Sequence, residues 1–495
     1  MILKRKSDFI ILYHRSPFDE VRDKLGEKKW IDQKSPNGII PTLRNIFRDK
    51  VDGTWIAWRE VKNIDNEEDE ITRINQETSF DLLRIPLNKK EIRSFYHVTS
   101  KESFWPILHT FPNHFDVNNA DWKIFEEVNK RFAKAACDKA EKSATIWIHD
   151  YNLWLAPFYI REKRPDIKIV FFHHTPFPGS DVFAILPWRN QILESLLSCD
   201  LVGFHIPRYA ENFARAANSL VGAEKGSKES VGKKFISVGS ALSEPSFTPY
   251  LNYGGRKIQI ISSPVGTSPD VIANLIKNKN VQKHIQKIKE GTKKGRKLIL
   301  SASRVDYTKG NEELLLTFER LLEKRKDLHG EIVLMIACVS AASGMKIYKE
   351  TQRAIEEIVG RINGKYSLID WVPIRLSTRR IPYEEMVAWF TQADICWITP
   401  LRDGLNLVAK EYVAARKGNP GVLVLSEFTG ASVLLNGAIL TNPYSQNKMD
   451  ESFREAISMP QEEQLKRMEI MTSAVESYTV KDWAEEQIKS LDCYS

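Results

Sequence analysis

The stretch ICWITPLRDGLNLVAKEYVAAR (residues 395–416) predicts a β-strand, a turn and an α-helix in immediate succession. ICWITP is a short apolar run, LRDG has the glycine and acid of a turn, and the remainder is typical of a helix. The first N–H groups of such a helix carry a partial positive charge and can bind a phosphate. This unit therefore predicts a parallel sheet with a ligand site at its carboxyl edge.

Other short apolar runs repeat the unit along the chain, with helical patterns between them. They are too apolar to have one face in water, which predicts parallel strands covered by helices on both sides. Helices are expected over 118–140 and 207–221. The expected strands are FIILYH (9–14), TIWIHD (145–150), IKIVFFHH (167–174), LVGFH (201–205), KLILSAS (297–303), EIVLMIACV (331–339), ICWITP (395–400) and GVLVLSE (421–427).

A Gly-, Ser- and Pro-rich stretch, SEPSFTPYLNYGGRK (243–257), separates the two series of strands and is expected to be a linker. The fold class is therefore α/β, with two Rossmann-like domains whose parallel sheets face an inter-domain cleft. We place the domains at 1–255 and 256–478, followed by a C-terminal helix, 479–495, that crosses back. Exposed loops are expected at 63–72 and 224–234.

Composition excludes several classes of protein. The 495 residues are 42% hydrophobic and 27% charged, with a net charge of +8 spread along the chain. Without a basic tract interleaved with aromatics, nucleic acid is not an expected partner, whereas an anionic small molecule is. No apolar run reaches the roughly 18 residues of a membrane helix. The five cysteines are widely spaced, which indicates a reducing, cytoplasmic compartment: Cys137, Cys199, Cys338, Cys396 and Cys493.

Several common ligand motifs are missing from the sequence. It contains no G-x-G-x-x-G, no P-loop, no H-E-x-x-H and no D-x-D triplet. We therefore expect neither a cofactor nor a bound metal. If a diphosphate binds, the cations and helix N–H groups of the protein must neutralise it.

Two acids flank the predicted anion site. Asp403 and Glu411 are eight residues apart, about two helical turns, so both can lie on one face. They would repel an anion unless they bind neutral hydroxyls, which favours a nucleotide sugar. Taken alone, Asp403 is expected to be a helix cap rather than a ligand-binding residue.

Cations and histidines follow other predicted strands. Arg304 and Lys309, in SRVDYTKG (303–310), are either solvated or a clamp on a diphosphate leaving group, and their position at a strand end favours the clamp. WIHDYNL (147–153) and FFHHTPFP (171–178) place histidines and Asp150 at strand ends. No clear metal-ligand set emerges, so we expect one member of each pair, His149–Asp150 and His173–His174, to be structural, and we favour a pocket that binds sugar hydroxyls.

The chain resembles the trehalose-phosphate synthase family of retaining glycosyltransferases, which have the GT-B fold. The motifs that carry the resemblance run in order along nearly the whole chain: WIHDYNL, HTPFP, RVDYTKG, GRINGKY (360–366) and PLRDGLNLVAKEYVAA. The resemblance implies transfer without a covalent enzyme intermediate. It also implies a role for each matching residue: Arg304 and Lys309 hold the donor phosphates; Asp403, with the backbone of Leu405, Asn406 and Leu407, binds the donor glucose; His174 touches that glucose; Glu411 holds the ribose; Asp150 lies beside the acceptor; Tyr96 and Trp105 line its pocket; and Arg15 lies near its phosphate.

Two positions depart from the family pattern. The paired glycines of the donor loop are Asn37-Gly38 here, with Gly38 the expected donor contact. The family's arginine for the acceptor phosphate is missing from CVSAASGMK (338–346). We therefore expect an acceptor other than glucose 6-phosphate. The pattern is closer to the relatives that join ADP-glucose to glycerol 3-phosphate, on the way to an osmolyte used in salt stress.

Alternatives remain open from the sequence. One is synthesis of trehalose 6-phosphate; another is a non-catalytic relative that binds sugar phosphates, against which the intact Asp150, Arg304, Lys309, Asp403 and Glu411 argue. The expected partners are small molecules, a nucleotide sugar and a sugar or polyol phosphate, with a separate phosphatase acting downstream. Assembly into a homo-oligomer is compatible with the sequence.

Overall fold

The computed structural model describes residues 5–22, 27–32, 39–47, 53–65, 67–75, 79–232, 237, 239–293, 295–340 and 345–492. It divides the chain into two compact units. Unit 1 comprises Met1–Val231, Glu244–Pro264 and Trp483–Ser495, and unit 2 comprises Gly232–Ser243 and Val265–Asp482. The domain limits drawn from the sequence, at 255 and 478, stay predictions.

Unit 1 is built on a sheet of ten described strands in the order β10-β13-β14-β9-β8-β7-β1-β4-β6-β5. The strands from β14 to β6 pair in parallel, and antiparallel strands extend the sheet at both edges. The small pairs β2–β3 and β11–β12 lie apart from this sheet. The bounds are β1 Ser7–Leu12, β2 Phe18–Arg22, β3 Lys28–Asp32, β4 Thr54–Val61, β5 Glu70–Asn75, β6 Ser79–Asn88, β7 Ala140–His149, β8 Lys168–His173, β9 Leu201–Phe204, β10 Glu224–Lys225, β11 Glu229–Ser230, β12 Ser246–Phe247, β13 Tyr250–Tyr253 and β14 Arg256–Ser262.

Helices follow the parallel strands of unit 1 because each crossover must return the chain to the same edge of the sheet. Their inward faces are apolar, as in α4, where Phe125, Val128 and Phe132 are buried at helical spacing. The α-helices are α1 Ile39–Ile46, α2 Lys89–Ile92, α3 Trp105–Leu108, α4 Trp122–Lys139, α5 Ala156–Lys163, α6 Ser180–Phe183, α7 Arg189–Leu196 and α8 Pro207–Val221. A π-helix, Arg93–Phe104, joins α2 to α3.

Unit 2 contains a sheet of six described strands, all parallel, in the order β17-β16-β15-β18-β19-β20. The strands are β15 Lys297–Arg304, β16 Ile332–Val339, β17 Ile374–Ser377, β18 Ile395–Ile398, β19 Val422–Ser426 and β20 Ile439–Thr441. The helices are α9 Pro269–Lys277, α10 Lys279–Glu290, α11 Asn311–Lys324, α12 Lys346–Tyr366, α13 Tyr383–Gln392, α14 Leu407–Ala415, α15 Gln446–Ser458 and α16 Gln461–Glu476. The last helix, α17 Val480–Asp492, begins in unit 2 and continues into unit 1.

The predicted strands and helices are confirmed with shifts of a few residues at their ends. Three expectations were wrong, and one of them is the loop at 224–234, which contains the short strands β10 and β11. The stretch 243–257, expected to be a linker, forms β12, β13 and the start of β14. Its tyrosines favour β-strands, and β13 pairs with β14 as an antiparallel strand near the edge of the sheet. The loop expected at 63–72 gives way to β5 from Glu70, which pairs with β6. Among the described residues, no helix has the length and apolar character needed to cross a membrane.

Candidate active site

Three loops of unit 2 meet beyond the carboxyl ends of adjacent strands β15, β18 and β19. The loop after β15 holds the loop after β18 through the backbone, since Leu401 N donates to Thr308 O at 2.8 Å. Gly310 has a φ of 66°. A Cβ there would lie 2.1 Å from the carbonyl oxygen of Thr399. Glycine is therefore needed at 310 for both reasons.

The loop after β19 closes the same cluster. Asp403 N donates to Phe428 O at 3.1 Å, and Ala431 N donates to Leu405 O at 2.8 Å. A Cβ on Gly430 would lie 2.1 Å from Gly404 O, so these backbones are in direct contact. The position of Asp403 is thus set by its main chain on two sides.

These contacts bring a cation and an acid together from different strands. Lys309 Nζ lies 2.8 Å from Asp403 Oδ2, and both side chains are largely shielded from water. Asn406 Nδ2 donates to the same carboxylate oxygen at 3.1 Å. The sequence motifs predicted Lys309 and Asp403 as site residues but not that they form an ion pair.

Helix α14 begins at this ion pair. Its N-cap is Asn406, whose Oδ1 accepts from Ala409 N at 3.0 Å. The expectation that Asp403 caps the helix was wrong, because Asn406, at a φ of 78°, is the residue that turns the chain into α14. The N–H groups of Leu407 and Val408 have no intrahelical acceptor, so the helix start can bind an anion.

Glu411 lies one turn into α14 and is partly buried. Its Oε1 accepts a hydrogen bond from the hydroxyl of Tyr383 at 3.3 Å. Burial raises the pKa of Glu411 to about 7, and the Tyr383 hydrogen bond opposes that rise. Leu405 is buried, Leu407 is partly buried, and Arg304 is exposed at the end of β15.

Lys410, which the sequence analysis missed, lies beside Glu411 and is 3% exposed. Its ammonium donates to Val265 O at 2.6 Å. Burial lowers the pKa of Lys410 to about 7. The sequence does contain a sign that Lys410 is buried, because the apolar residues Val413 and Ala414, which are also buried, follow it at helical spacing.

In unit 1, the π-helix aligns the predicted acceptor aromatics. Such a helix has about 4.4 residues per turn, so residues four and five apart share a face. Tyr96, Lys101 and Trp105 have this spacing, and Trp105 N donates to Ser100 O, five residues back. An α-helix would place Trp105 on the side opposite Tyr96. Asn152 Nδ2 supports the distorted segment by donating to Ser100 Oγ at 2.8 Å.

Two cations contact these aromatics. Arg15 donates to the hydroxyl of Tyr96, and its guanidinium carbon lies 5.3 Å from the Tyr96 ring centroid. Lys101 Nζ lies 3.8 Å from the Trp105 ring centroid and 5.8 Å from that of Tyr96. Lys101 is a second residue that sequence reasoning missed, because its alignment with Tyr96 and Trp105 requires a π-helix.

Asp150 follows β7 in a strained conformation. Its φ is 70° and its ψ is 162°, a region that residues other than glycine avoid. The carboxylate accepts from Tyr151 N at 3.1 Å and from the backbone of His174. Burial raises the pKa of Asp150 to about 6, although Lys101 and these hydrogen bonds oppose the rise.

The histidines at the ends of β7 and β8 differ in environment. His173 is fully buried, and its Nδ1 lies 3.0 Å from Thr175 O. His174 is partly buried, and its Nε2 lies 3.1 Å from Nδ1 of the buried His149. Burial lowers the pKa of both His149 and His174 well below the ordinary value, so this pair is neutral at neutral pH.

Two expectations fall outside the described residues. Gly38 is one, and part of the stretch that lacks the family's arginine, 341–344, is the other. Within the part of the chain that is described, no group of three or more His, Cys, Asp or Glu side chains could hold a metal ion.

Solved structures define the class of fold. An α,α-trehalose-phosphate synthase (UDP-forming) from Burkholderia xenovorans, in complex with glucose-6-phosphate, matches this chain with a TM-score of 0.84 and 28% identity, covering 98% of this chain and 100% of that one. One from Burkholderia vietnamiensis matches with a TM-score of 0.85 and 25% identity, covering 99% and 97%. With its parallel sheets, the chain has the GT-B fold.

The model of Glycosyltransferase family 20 matches residues 7–493, so the chain belongs to that family and is a glycosyltransferase. A glucosylglycerol-phosphate synthase from Synechocystis sp. is 49% identical over 485 residues, which cover 98% of this chain and 97% of that protein. A trehalose-6-phosphate synthase from Mycolicibacterium gilvum is 34% identical over 486 residues, covering 98% and 94%.

The strain at Asp150 gives a stability prediction. Asp150→Gly and Asp150→Ala both remove the carboxylate, but only glycine adopts a φ of 70° without strain. We expect the glycine variant to be more stable than the alanine variant by about 1 kcal/mol, after allowing for glycine's greater entropy when unfolded. Urea unfolding of both variants measures this difference, and an alanine variant of equal or greater stability would show that the backbone at 150 is unstrained.

Burial of Lys410 predicts a pH-dependent stability. Its pKa is about 7 in the folded protein against an ordinary value of 10.5, so between these pH values the unfolded chain holds the proton more tightly. The free energy of unfolding should therefore rise with pH across this window, by at most about 1.4 kcal/mol per pH unit. We expect Lys410→Met to lose this contribution, as measured by denaturant unfolding at a series of pH values. If the free energy of unfolding had the same pH dependence in the native protein and in Lys410→Met, the lowered pKa of Lys410 would be contradicted.

Proposed function

We propose that this enzyme transfers glucose from ADP-glucose to glycerol 3-phosphate with retention of configuration, which yields glucosylglycerol phosphate and ADP. The observation that carries the proposal is the 49% identity, over 98% of the chain, to a protein named glucosylglycerol-phosphate synthase. The identity to a trehalose-6-phosphate synthase is 34% over a similar length. The absence of an arginine in 338–346 favours the same acceptor.

The donor site in this proposal is the loop cluster of unit 2. The diphosphate lies at the start of α14, where the N–H groups of Leu407 and Val408 and the cations Arg304 and Lys309 neutralise it. Asp403 binds hydroxyls of the glucose. The Lys309–Asp403 ion pair, 2.8 Å long, holds both groups in place before the donor binds.

Glu411 is assigned to the ribose of the donor. Burial raises the pKa of Glu411 to about 7. The carboxyl group is therefore already largely desolvated, and a ligand that buries it further adds little desolvation free energy. A carboxylic acid or carboxylate can bridge two neighbouring hydroxyls, and the hydroxyl of Tyr383 orients it from the other side. Gly38 is proposed as a further donor contact.

The transfer step needs no enzyme nucleophile. The bond from the anomeric carbon of glucose to the β-phosphate oxygen breaks, and the acceptor oxygen bonds to the same face. The proton of the acceptor hydroxyl passes to the departing phosphate oxygen. The contribution of the protein is then positioning, together with stabilisation of the charge that develops on the leaving group.

The acceptor groups are those of unit 1. Asp150 is proposed to orient the acceptor hydroxyl, His174 to touch the donor glucose, and Arg15, Tyr96 and Trp105 to hold the rest of the acceptor. His174 is oriented by the neutral His149 at 3.1 Å. A neutral pair suits hydroxyl recognition, because a charged imidazolium would have to be desolvated.

The wider role follows from the product. Glucosylglycerol phosphate is charged, so a separate phosphatase must remove the phosphate before the neutral solute can accumulate in salt stress. We place the reaction in the cytoplasm, in keeping with the widely spaced cysteines.

The leaving-group clamp is tested by charge removal. Lys309→Ala and Arg304→Ala should each lower kcat by roughly a hundredfold to a thousandfold, since each removes a charged donor to the departing phosphate. The matched control is Lys324→Ala, which removes an exposed lysine that also pairs with an acid, Asp450, at 3.0 Å. Release of nucleoside diphosphate is the measurement. Normal turnover in both variants, with unchanged melting temperatures, would contradict the assignment of Arg304 and Lys309 to the leaving group.

The acceptor is tested by competition between two phosphates. We expect the native enzyme to prefer glycerol 3-phosphate over glucose 6-phosphate in kcat/KM by roughly a hundredfold, because a buried phosphate without a cationic partner is heavily penalised. The measurement uses ADP-glucose, with UDP-glucose in a parallel series, and identifies the product. A higher kcat/KM for glucose 6-phosphate would make the enzyme a trehalose-6-phosphate synthase instead.

A further inference from the structure

A row of three side chains runs along one face of the π-helix in unit 1 and onto Trp105, the first residue of α3. Tyr96, Lys101 and Trp105 follow one another at spacings of five and four residues, which is the period of that helix. The aromatic rings both contact the lysine ammonium, at 5.8 and 3.8 Å. A cation held over an aromatic face stays desolvated on one side and can still donate hydrogen bonds on the other.

The charge of Lys101 acts on the same groups as that of Arg15. Both cations lower the pKa of the buried His14, after burial itself, and both lower the pKa of His97. Lys101 also acts on Asp150, the proposed partner of the acceptor hydroxyl. The two cations therefore share one neighbourhood in unit 1, and Lys101 is within electrostatic reach of Asp150.

Lys101 and Arg15 both lie against the Tyr96 ring, which concentrates positive charge in this neighbourhood. The nearby His14, His149 and His174 do not add to it, because burial lowers the pKa of each well below its ordinary value. An excess of positive charge among aromatic walls suits a phosphate monoester, which carries up to two negative charges.

We propose that Lys101, together with Arg15, binds the phosphate of the acceptor and selects acceptors that are short enough to reach it from Asp150. The proposal rests on the proposed function for the identity of the acceptor, glycerol 3-phosphate. It explains how the chain can dispense with the arginine that is missing from 338–346. The cation comes from unit 1, from the π-helix that also carries Tyr96 and leads into Trp105.

The structure also explains why a lysine serves here. The ammonium is a compact point charge with three donors, which complements the planar guanidinium of Arg15 against Tyr96. Trp105 is 5% exposed, so packing holds its ring in place against the lysine. Because Lys101 is within electrostatic reach of Asp150, one short acceptor can present its phosphate to the ammonium and its hydroxyl to the carboxylate.

The test compares phosphorylated and unphosphorylated acceptors in Lys101→Gln, Lys101→Arg and the native enzyme. In Lys101→Gln, KM for glycerol 3-phosphate should rise by about tenfold to a hundredfold, as expected for the loss of one charged hydrogen bond. Transfer to glycerol, which has no phosphate, and KM for the nucleotide sugar should not change. Lys101→Arg should recover part of the lost affinity because it restores the charge.

The matched control is Lys90→Gln, which removes the charge of an exposed lysine on α2, just before the π-helix. It should leave every constant unchanged. The proposal is overturned if Lys101→Gln retains its KM for glycerol 3-phosphate. It is also overturned if that variant loses glycerol and glycerol 3-phosphate use in equal measure, since Lys101 would then only support the packing of Trp105.

The outcome is separable from that of the proposed function. If the native enzyme uses glucose 6-phosphate and not glycerol 3-phosphate, the proposed function fails. The Lys101 variants are then compared with glucose 6-phosphate against glucose. A loss confined to the phosphorylated sugar keeps Lys101 as the phosphate ligand, whereas an equal effect on both sugars, or none, removes it.

Discussion

Direct contact between the backbones of three loops is the constraint on which the unit 2 site depends. A single added carbon at Gly310 or Gly430 would lie 2.1 Å from a carbonyl oxygen of the neighbouring loop. Because the loops are this close, side chains from different strands can reach one another. The Lys309–Asp403 ion pair and the Asn406 cap of α14 follow from that closeness. The arrangement is preorganised, which is what stabilisation of a leaving group requires.

In unit 1, irregular backbone geometry positions the candidate residues. There the backbone departs from regular geometry, with a π-helix of 12 residues and a non-glycine residue at a φ of 70°. Such departures cost free energy and persist only where the surroundings impose them. Asn152 connects the two features, since it lies two residues after Asp150 and donates to Ser100 within the π-helix. Both departures place side chains where a regular helix or strand end would not.

The ionisable groups of the candidate site are of two kinds. His149 and His174 are kept neutral, and the pKa values of Asp150 and Glu411 rise to about 6 and about 7. These groups suit hydroxyls. The cations Lys309, Arg15 and Lys101 lie against an acid or an aromatic ring and suit phosphates. In the proposed function, recognition of sugar and recognition of phosphate therefore fall to chemically distinct side chains within each unit.

The sequence by itself determined the parallel strands, the helices between them and the identity of most candidate residues. Apolar runs and helical spacing report burial directly, and strand-end motifs such as RVDYTKG and PLRDGLNL keep their chemistry in consecutive residues. Only the tertiary structure decided that Asn406 and not Asp403 caps α14, that 243–257 pairs into a sheet, and that Lys410 is buried. It also decided that Lys101 joins Tyr96 and Trp105, because the π-helix depends on contacts such as Asn152 to Ser100 that lie 52 residues apart along the chain. Local patterns carry no record of such distant partners, and that is the physical reason the sequence could not supply them.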